Sequence, residues 1–210
     1  MKIVEPSICI LPSSLSGYGA VCQIEEIART CYKSEKKNTS LGETIQFVSG
    51  LIQRGHTAML EHISVTVKFV VDRGVSHELV RHRIGSYAQE STRFCNYSKE
   101  RFGKEISVIE MGPHFKNPAS LEVWLDACKH AEQAYFKLLE LGESPQIARA
   151  VLPTCTKTEI NATFNLREWR HVFALRELGV TGQPHPQMKE VMTPLLTEMK
   201  RKFLVIFDDL

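Results

Sequence analysis

The sequence carries almost no net charge: 26 Lys and Arg stand against 24 Asp and Glu, leaving +2 over 210 residues. That argues against a generally basic nucleic-acid coat. With aromatics at 8%, it also argues against an RNA-binding module, which needs exposed aromatics set among broad basicity. No C-x-x-C spacing occurs among Cys9, Cys22, Cys31, Cys95, Cys128 and Cys155, so neither a zinc site nor a disulfide framework is indicated. Reduced and mostly buried thiols are the expectation. The longest strongly apolar run, residues 63–71, is interrupted by Lys68 and falls far short of the roughly 20 residues of a membrane span. Near the start, Glu5 and Pro6 break what would be a short apolar core, which argues against a signal peptide. Repeats and low-complexity tracts are missing, and so is a regular β-α-β alternation, which makes a Rossmann sheet unexpected. These absences leave a cytoplasmic protein with no membrane or nucleic-acid partner. At 43% hydrophobic content and with no linker between halves, the chain is expected to form one α/β or α+β domain over residues 1–210, burying roughly 70% of its unfolded surface.

What is present can be read element by element. A strand is expected over 1–11, then a Pro, Ser and Gly loop over 12–19. Ile24, Ile27, Ala28 and Cys31 recur at helical spacing, giving a helix over 21–32. Ser40 and Glu43 form a possible capping box for a second helix, which runs to Arg54 and is stopped by Gly55. Ile63, Val65, Val67 and Phe69 alternate with polar residues, a strand with one wet face. A helix over 75–83, capped by Asp72 or Ser76, would place Arg81 and His82 near its end, followed by a loop over 85–97 and a short strand over 106–109. Asn117 and Pro118 open a long helix. Its stripe of Leu121, Trp124, Leu125, Cys128, Ala131, Tyr135, Leu138 and Leu139, ending at Gly142, is core or oligomer interface. Ser144 and Pro145 start a helix that carries Arg149 and ends before Pro153. A strand over 154–164, a helix over 166–178 and a last helix through Phe207, bent near Pro194, complete the chain.

The cationic character is local. Arg81, Arg83, Arg93, Arg149, Arg167, Arg170 and Arg176 fall in four short blocks; brought together they would make a pocket for anionic groups, and otherwise an ordinary solvated surface. In RHRIGSYAQESTR, residues 81–93, so much fixed charge repels itself unless it faces something anionic. The planar arginine fork suits phosphate and the carbonyl edge of a heterocycle, and Gly85, Ser86, Ser91 and Thr92 let backbone N–H groups approach a ligand. A ring-bearing phosphorylated ligand is the reading set against the plainer one of a solvated basic turn. In GHTAMLEH, residues 55–62, His56 and His62 stand six apart, unlike the i, i+4 pair of a helical zinc motif, so no metal is assigned. Arg167, Arg170 and His171 lie three and four apart, hence on one helix face, with Arg176 further along.

Arg81, His82 and Arg83, seven residues, then Ser91 resembles the RHR-x7-S signature of the flavin-dependent thymidylate synthases (the ThyX family). QESTR at 89–93, ARTCY at 28–32, GHTAMLEH, and NLREWRH at 165–171 continue the resemblance over most of the chain. It implies an α+β fold special to that family, a homotetramer with shared active sites, and reductive methylation of dUMP to dTMP. Methylenetetrahydrofolate would be the one-carbon donor, NADPH the reductant and FAD the hydride carrier, with no enzyme nucleophile. A relative that methylates UMP or another pyrimidine is the alternative. A regulator that has lost catalysis could have lost Arg176 or the GHxxxxEH block, yet both are present.

The resemblance also implies residue roles. FAD contacts fall on Cys31, His56, Ala58 and Glu61, with Ala58 standing where the family has Thr; then on Arg81, His82, Arg83, Ile84 and Gln89; then on Asn165, Arg167 and His171. The dUMP site falls on Glu78, Leu79, Val80 and Arg81, on Gln89, Glu90, Ser91, Thr92 and Arg93, and on Arg149 and Arg176, with Arg93 and Arg149 holding phosphate. Arg176 would engage the pyrimidine edge and favour ionisation at N3, and Ser91 would orient by hydrogen bonding, since no general base is evidently paired with it. Gln89 and His171 depart from the Glu and Asn common in the family. Cys155 in LPTCT is not expected to be a nucleophile.

Overall fold

The computed structural model describes residues 1–12, 15–36 and 38–210, with Arg101 by its backbone alone. In chain order the elements are β1 (Lys2–Val4), β2 (Ser7–Ile10), α1 (Gly17–Thr30), α2 (Leu41–Gln53), β3 (Ser64–Asp72), α3 (Arg73–Leu79), β4 (Ser86–Gln89), β5 (Ser107–Ile109), α4 (Pro118–Glu140), α5 (Pro145–Ala148), β6 (Lys157–Asn165), α6 (Leu166–Arg176) and α7 (Pro186–Lys202). This is the α+β content the sequence implies, with no Rossmann alternation. Several boundaries differ for local reasons. The first strand is broken in two at Glu5 and Pro6, because proline has no N–H to give a ladder. Ser13 and Ser14, in the expected loop over 12–19, lie outside the described residues. Helix α3 ends at Leu79, so Arg81 and His82 stand beyond it and not at its end. The expected loop over 85–97 contains β4, and α5 is a single turn continued by a 3-10 turn at Arg149–Val151. Strand β6 starts at Lys157, and α7 stops at Lys202 with Pro194 inside it.

The capping box forms in full. Ser40 Oγ accepts the Glu43 N–H at 3.3 Å, and the Glu43 carboxylate accepts the Ser40 N–H at 2.9 Å, which satisfies two of the N–H groups a helix start leaves open. Asp72 caps α3 by accepting the Val75 N–H at 2.7 Å, and Asn165 caps α6 by accepting the Glu168 N–H at 2.8 Å. A four-stranded sheet has the order β2-β3-β6-β4. Leu166 N–H bonds Ile63 O and Arg73 N–H bonds Thr154 O, while the hydroxyls of Thr66 and Thr163 meet at 2.8 Å. Partners that descend on one strand as they rise on the other make β3 and β6 antiparallel.

The chain forms two compact units of interleaved segments. The first takes Met1–Ser7, Phe69–Arg81 and Tyr87–Asn161. In it β1 pairs in parallel with β5, Ile3 opposite Val108, and Tyr97, Ile106, Val108, Cys128, Tyr135 and Cys155 form a buried cluster. Of the α4 stripe, Cys128 and Tyr135 are buried while Leu121, Trp124, Leu125, Ala131, Leu138 and Leu139 are only half-buried. The second unit takes Ile8–Lys68, His82–Ser86 and Ala162–Leu210. Here the buried face of α6 presents Trp169, Val172 and Phe173. Trp169 lies edge-on to Phe164 at 4.8 Å and stacks on Phe173 at 5.7 Å, while its indole N–H donates to Val65 O at 3.1 Å. A fully buried aromatic of this kind contributes about 2–3 kcal/mol by area and fixes the rotation of α6 about its axis. That rotation decides which α6 residues reach a ligand.

Candidate active site

In the second unit, the rotation of α6 turns Arg167 and His171 outward, and both are exposed. Arg167 forms an ion pair with Glu61, the acid of the GHxxxxEH block, which folds as a 3-10 turn, Ala58–His62. Two cavities share Arg167 as a lining residue. One, of about 320 Å³, is lined by Cys31, His56, Ala58 and Arg167 among others. The second, of about 410 Å³, is lined by Glu61, Ile84, Asn165, Arg167, Glu168 and His171. Sequence segments separated by more than a hundred residues are thereby assembled around a single guanidinium. Arg170, expected on the same face, instead donates to the carboxylate of Asp209 at 2.7 and 2.6 Å. It ties α6 to the C-terminal segment and lines neither cavity.

Behind this surface His82 is buried, 5% exposed. Arg176 Nε donates to His82 Nε2 at 3.1 Å. A guanidinium can only donate, so His82 Nε2 is an acceptor and the ring proton sits on Nδ1, where Glu168 Oε1 lies 3.5 Å away. Burial, then the charges of Arg176 and His171, lowers the His82 pKa from 6.5 to about 4, so the ring is neutral near pH 7. Burial pushes the Glu168 carboxyl up, against a smaller pull downward from His171. Donor atoms of His82, Glu168 and His171 lie within 4.8 Å of one another. With Nε2 already engaged and a guanidinium alongside, a divalent cation would meet fixed positive charge, so no metal is assigned to the cluster.

Gly85 follows the RHR triplet. A Cβ there would stand 2.3 and 2.4 Å from ring atoms of Phe164, closer than any side chain can approach, so only glycine lets the backbone pass over that ring. Arg83 and Ile84, just before it, are exposed.

The first unit assembles the other block. Gln89 donates from Nε2 to Ser76 Oγ at 2.9 Å and to Thr158 Oγ1 at 3.2 Å, bridging α3 and β6. Glu90 accepts from Lys157 Nζ at 3.1 Å and from the Tyr97 hydroxyl at 3.0 Å, while its carbonyl accepts from Arg73 at 3.0 Å. The polar residues of this stretch thus find many of their partners within the protein. Ser91 Oγ accepts the Arg93 N–H at 3.3 Å, which shapes the turn. Arg149 donates to Thr92 Oγ1 at 3.0 Å, with Thr92 buried and both Arg93 and Arg149 exposed. Tyr87 donates its hydroxyl to Leu79 O at 2.8 Å. Glu78 is half-buried, Leu79 is buried, and Val80 and Arg81 are exposed.

Cys155 has none of the features of an activated thiol. It is 9% exposed and lies 3.5 Å from Cys128 Sγ; burial pushes both thiols up, Cys128 to about 12, whereas a nucleophilic cysteine needs a lowered pKa.

The sequence reading missed Glu168, Lys157 and Tyr97. Glu168 between two cations looks like a solvated residue, and only its place in the helical stripe with Trp169 and Val172 signals burial. Lys157 and Tyr97 reach Glu90 from distant segments, which no local spacing encodes.

Residues 19–203 match the sequence profile of the thymidylate synthase complementing protein family. A flavin-dependent thymidylate synthase of Mycolicibacterium vanbaalenii is 33% identical over 184 residues, 79% of this chain and 71% of that protein. The chain belongs to the flavin-dependent thymidylate synthase family. Another flavin-dependent thymidylate synthase, from Corynebacterium aurimucosum, is 31% identical over 203 residues, 89% of this chain and 78% of that protein. The crystal structure of a UMP/dUMP methylase, PolB from Streptomyces cacaoi, bound with 5-Br dUMP, superimposes with a TM-score of 0.83 over 99% of this chain and 96% of that one at 20% identity. It shows that the two share a fold. Within the flavin-dependent thymidylate synthases, a cofactor has to be accommodated, and the two cavities around Arg167 each fall in the range of roughly 300–1,000 Å³ usual for ligand pockets. Their mixture of a guanidinium, an imidazole, an amide and apolar Ile84 suits a polar-edged flat ring.

Proposed function

We propose that the protein converts dUMP to dTMP by reductive methylation at C5, with methylenetetrahydrofolate as carbon donor, NADPH as reductant and FAD as cofactor. The observation that carries this reading is the convergence of Cys31, His56, Ala58, Glu61, Ile84, Asn165 and His171 on cavities that share Arg167. Bound there, FAD would supply the hydride that completes the methyl group. Glu61 holds the Arg167 guanidinium in place, and a fixed cation beside an electron-accepting ring stabilises the charge that reduction develops. Arg81, His82, Arg83 and Gln89 complete the proposed FAD set.

For the nucleotide, Arg93 and Arg149 take the phosphate, with Thr92 orienting Arg149. Glu78, Leu79, Val80 and Arg81 belong to the same site, together with the turn from Gln89 to Ser91. Glu90 acts from behind: Lys157 and Tyr97 hold its carboxylate, and it steadies the turn on which Ser91 stands. Arg176 engages the pyrimidine edge, where a cation lowers the cost of the N3 anion and so raises electron density at C5. No side-chain nucleophile takes part, in keeping with the raised Cys155 thiol.

The 210 residues act as one catalytic domain, in a cytoplasmic homotetramer with active sites shared between subunits. The half-buried apolar stripe of α4 supports an interface between copies; among the described residues no helix is long and apolar enough to cross a membrane. The test is product formation. Purified protein incubated with methylenetetrahydrofolate, NADPH and FAD makes dTMP from dUMP; a preference for UMP under the same conditions would make it a ribonucleotide methylase, and no product from either would reject the reading.

A further inference from the structure

We propose that Glu168 is a positioning residue: facing the His82 ring from the Nδ1 side, it selects the tautomer whose Nε2 holds the Arg176 guanidinium in register. The contact of Glu168 with His82 follows from the geometry alone, and its consequence for turnover rests on the role proposed above for Arg176. The geometry is a chain of three groups, each constrained by the next. Arg176 Nε presents a hydrogen to His82 Nε2 at 3.1 Å. In the other tautomer two N–H groups would point at one another, so the pair holds only while the ring proton stays on Nδ1. Glu168 Oε1, 3.5 Å from Nδ1, is longer than a good hydrogen bond, yet near enough in a buried site to favour the N–H on its own side.

Two further rings meet the imidazole. His171 meets His82 edge-on with centroids 5.9 Å apart, and Phe164 does so at 6.2 Å. The placement of Glu168 is itself fixed. Its backbone N–H is capped by Asn165 at 2.8 Å, and its neighbour Trp169 is locked by the Val65 carbonyl. A carboxylate 9% exposed in the first turn of α6 gains from the positive end of the helix; it borders the 410 Å³ cavity and faces the imidazole with Oε1. Second-sphere acids that fix a histidine tautomer are a recurring device for ordering a site.

The test uses full-length, flavin-loaded protein labelled with nitrogen-15 in histidine. In the wild type, His82 shows a protonated Nδ1 and an unprotonated, hydrogen-bonded Nε2. Glu168→Gln, which keeps an acceptor at the same reach, preserves that pattern and turns over within about twofold of wild type. Glu168→Met, which fills the volume without an acceptor, gives a mixed tautomer. It loses about tenfold in kcat while flavin content and the KM for dUMP change less than twofold, and Glu168→Ala does the same, excluding a packing artefact of Met. A wild-type tautomer in both acceptor-free variants overturns the proposal, as does a Gln variant as impaired as Met. A lost tautomer with unchanged kcat would leave the contact of Glu168 with His82 standing and refute the role given to Arg176.

Discussion

Arg149 and Thr92, 57 positions apart in sequence, meet through a 3.0 Å hydrogen bond from guanidinium to hydroxyl, the threonine buried and the arginine exposed. A guanidinium anchored on one side leaves its remaining N–H groups pre-oriented for an anion, which reduces the ordering cost of binding. Arg149→Ala is therefore expected to weaken dUMP binding by about ten- to a hundredfold, the value of a hydrogen bond to a charged group at about 1.5–3 kcal/mol. Thr92→Val, which keeps the charge and removes its anchor, should cost less than a tenth of that loss. Calorimetric titration with dUMP, repeated with deoxyuridine that lacks the phosphate, checks it: the arginine variant should matter only for the nucleotide.

Gly85→Ala places a methyl group against the Phe164 ring. Overpacking of this kind costs about 1–3 kcal/mol, and for a chain of this size each kcal/mol lowers Tm by about 2–4 °C. Thermal unfolding of Gly85→Ala, with and without Phe164→Leu, reads the effect. The second substitution should restore part of the loss if the ring is the obstacle.

The neutral buried His82 gives a signed pH dependence. Its pKa is about 4 when folded and 6.5 when free, so between those values the unfolded chain binds the extra proton, and stability falls as pH drops from about 6.5 to about 4. The contribution is on the order of 3 kcal/mol, present in full above about pH 6.5 as the absence of that penalty. Arg176 and His171 face the ring and act in the same sense, while Glu168, raised by burial, gains protons on folding and acts in the opposite one. The readout is accordingly the difference between wild type and His82→Asn in urea unfolding across that window: wild type should lose stability faster on acidification.

Much of the architecture follows from residues that act locally. The capping box at Ser40 and Glu43, the alternation of β3 and the Asn117–Pro118 start of α4 all work within a few positions, and all formed. What was hidden acts at a distance. β4 is four residues with only alternate side chains half-buried, so it becomes a strand only by pairing with β6. Arg167, Arg170 and His171 share helical spacing, but at about 100° per residue Arg170 lies on the other side of Arg167 from His171, and Asp209 claims it. The RHR, GHxxxxEH and NLR blocks were legible as motifs, whereas Glu168, Lys157 and Tyr97 belong to no motif and show their contacts only when the chain is folded.

Cysteine chemistry separates this account from one with a thiol nucleophile. Iodoacetamide should label exposed Cys9 and Cys31 in the native protein within minutes and leave Cys128 and Cys155 unmodified until unfolding, since both are buried with raised pKa values. Mass spectrometry of tryptic peptides gives the order, and Cys155→Ser should retain turnover; early labelling of Cys155 with loss of activity would reverse the assignment.

Release of tritium from 5-tritiated dUMP tests the central claim most directly, because it reports substitution at C5 and nothing else. The flavin-loaded protein should release tritium to water when reduced and supplied with methylenetetrahydrofolate, with Arg176→Ala retaining flavin but releasing less than about a hundredth of the wild-type amount, roughly 3 kcal/mol of lost transition-state stabilisation. Undiminished release without flavin, or release by Arg176→Ala at the wild-type rate, would contradict the account.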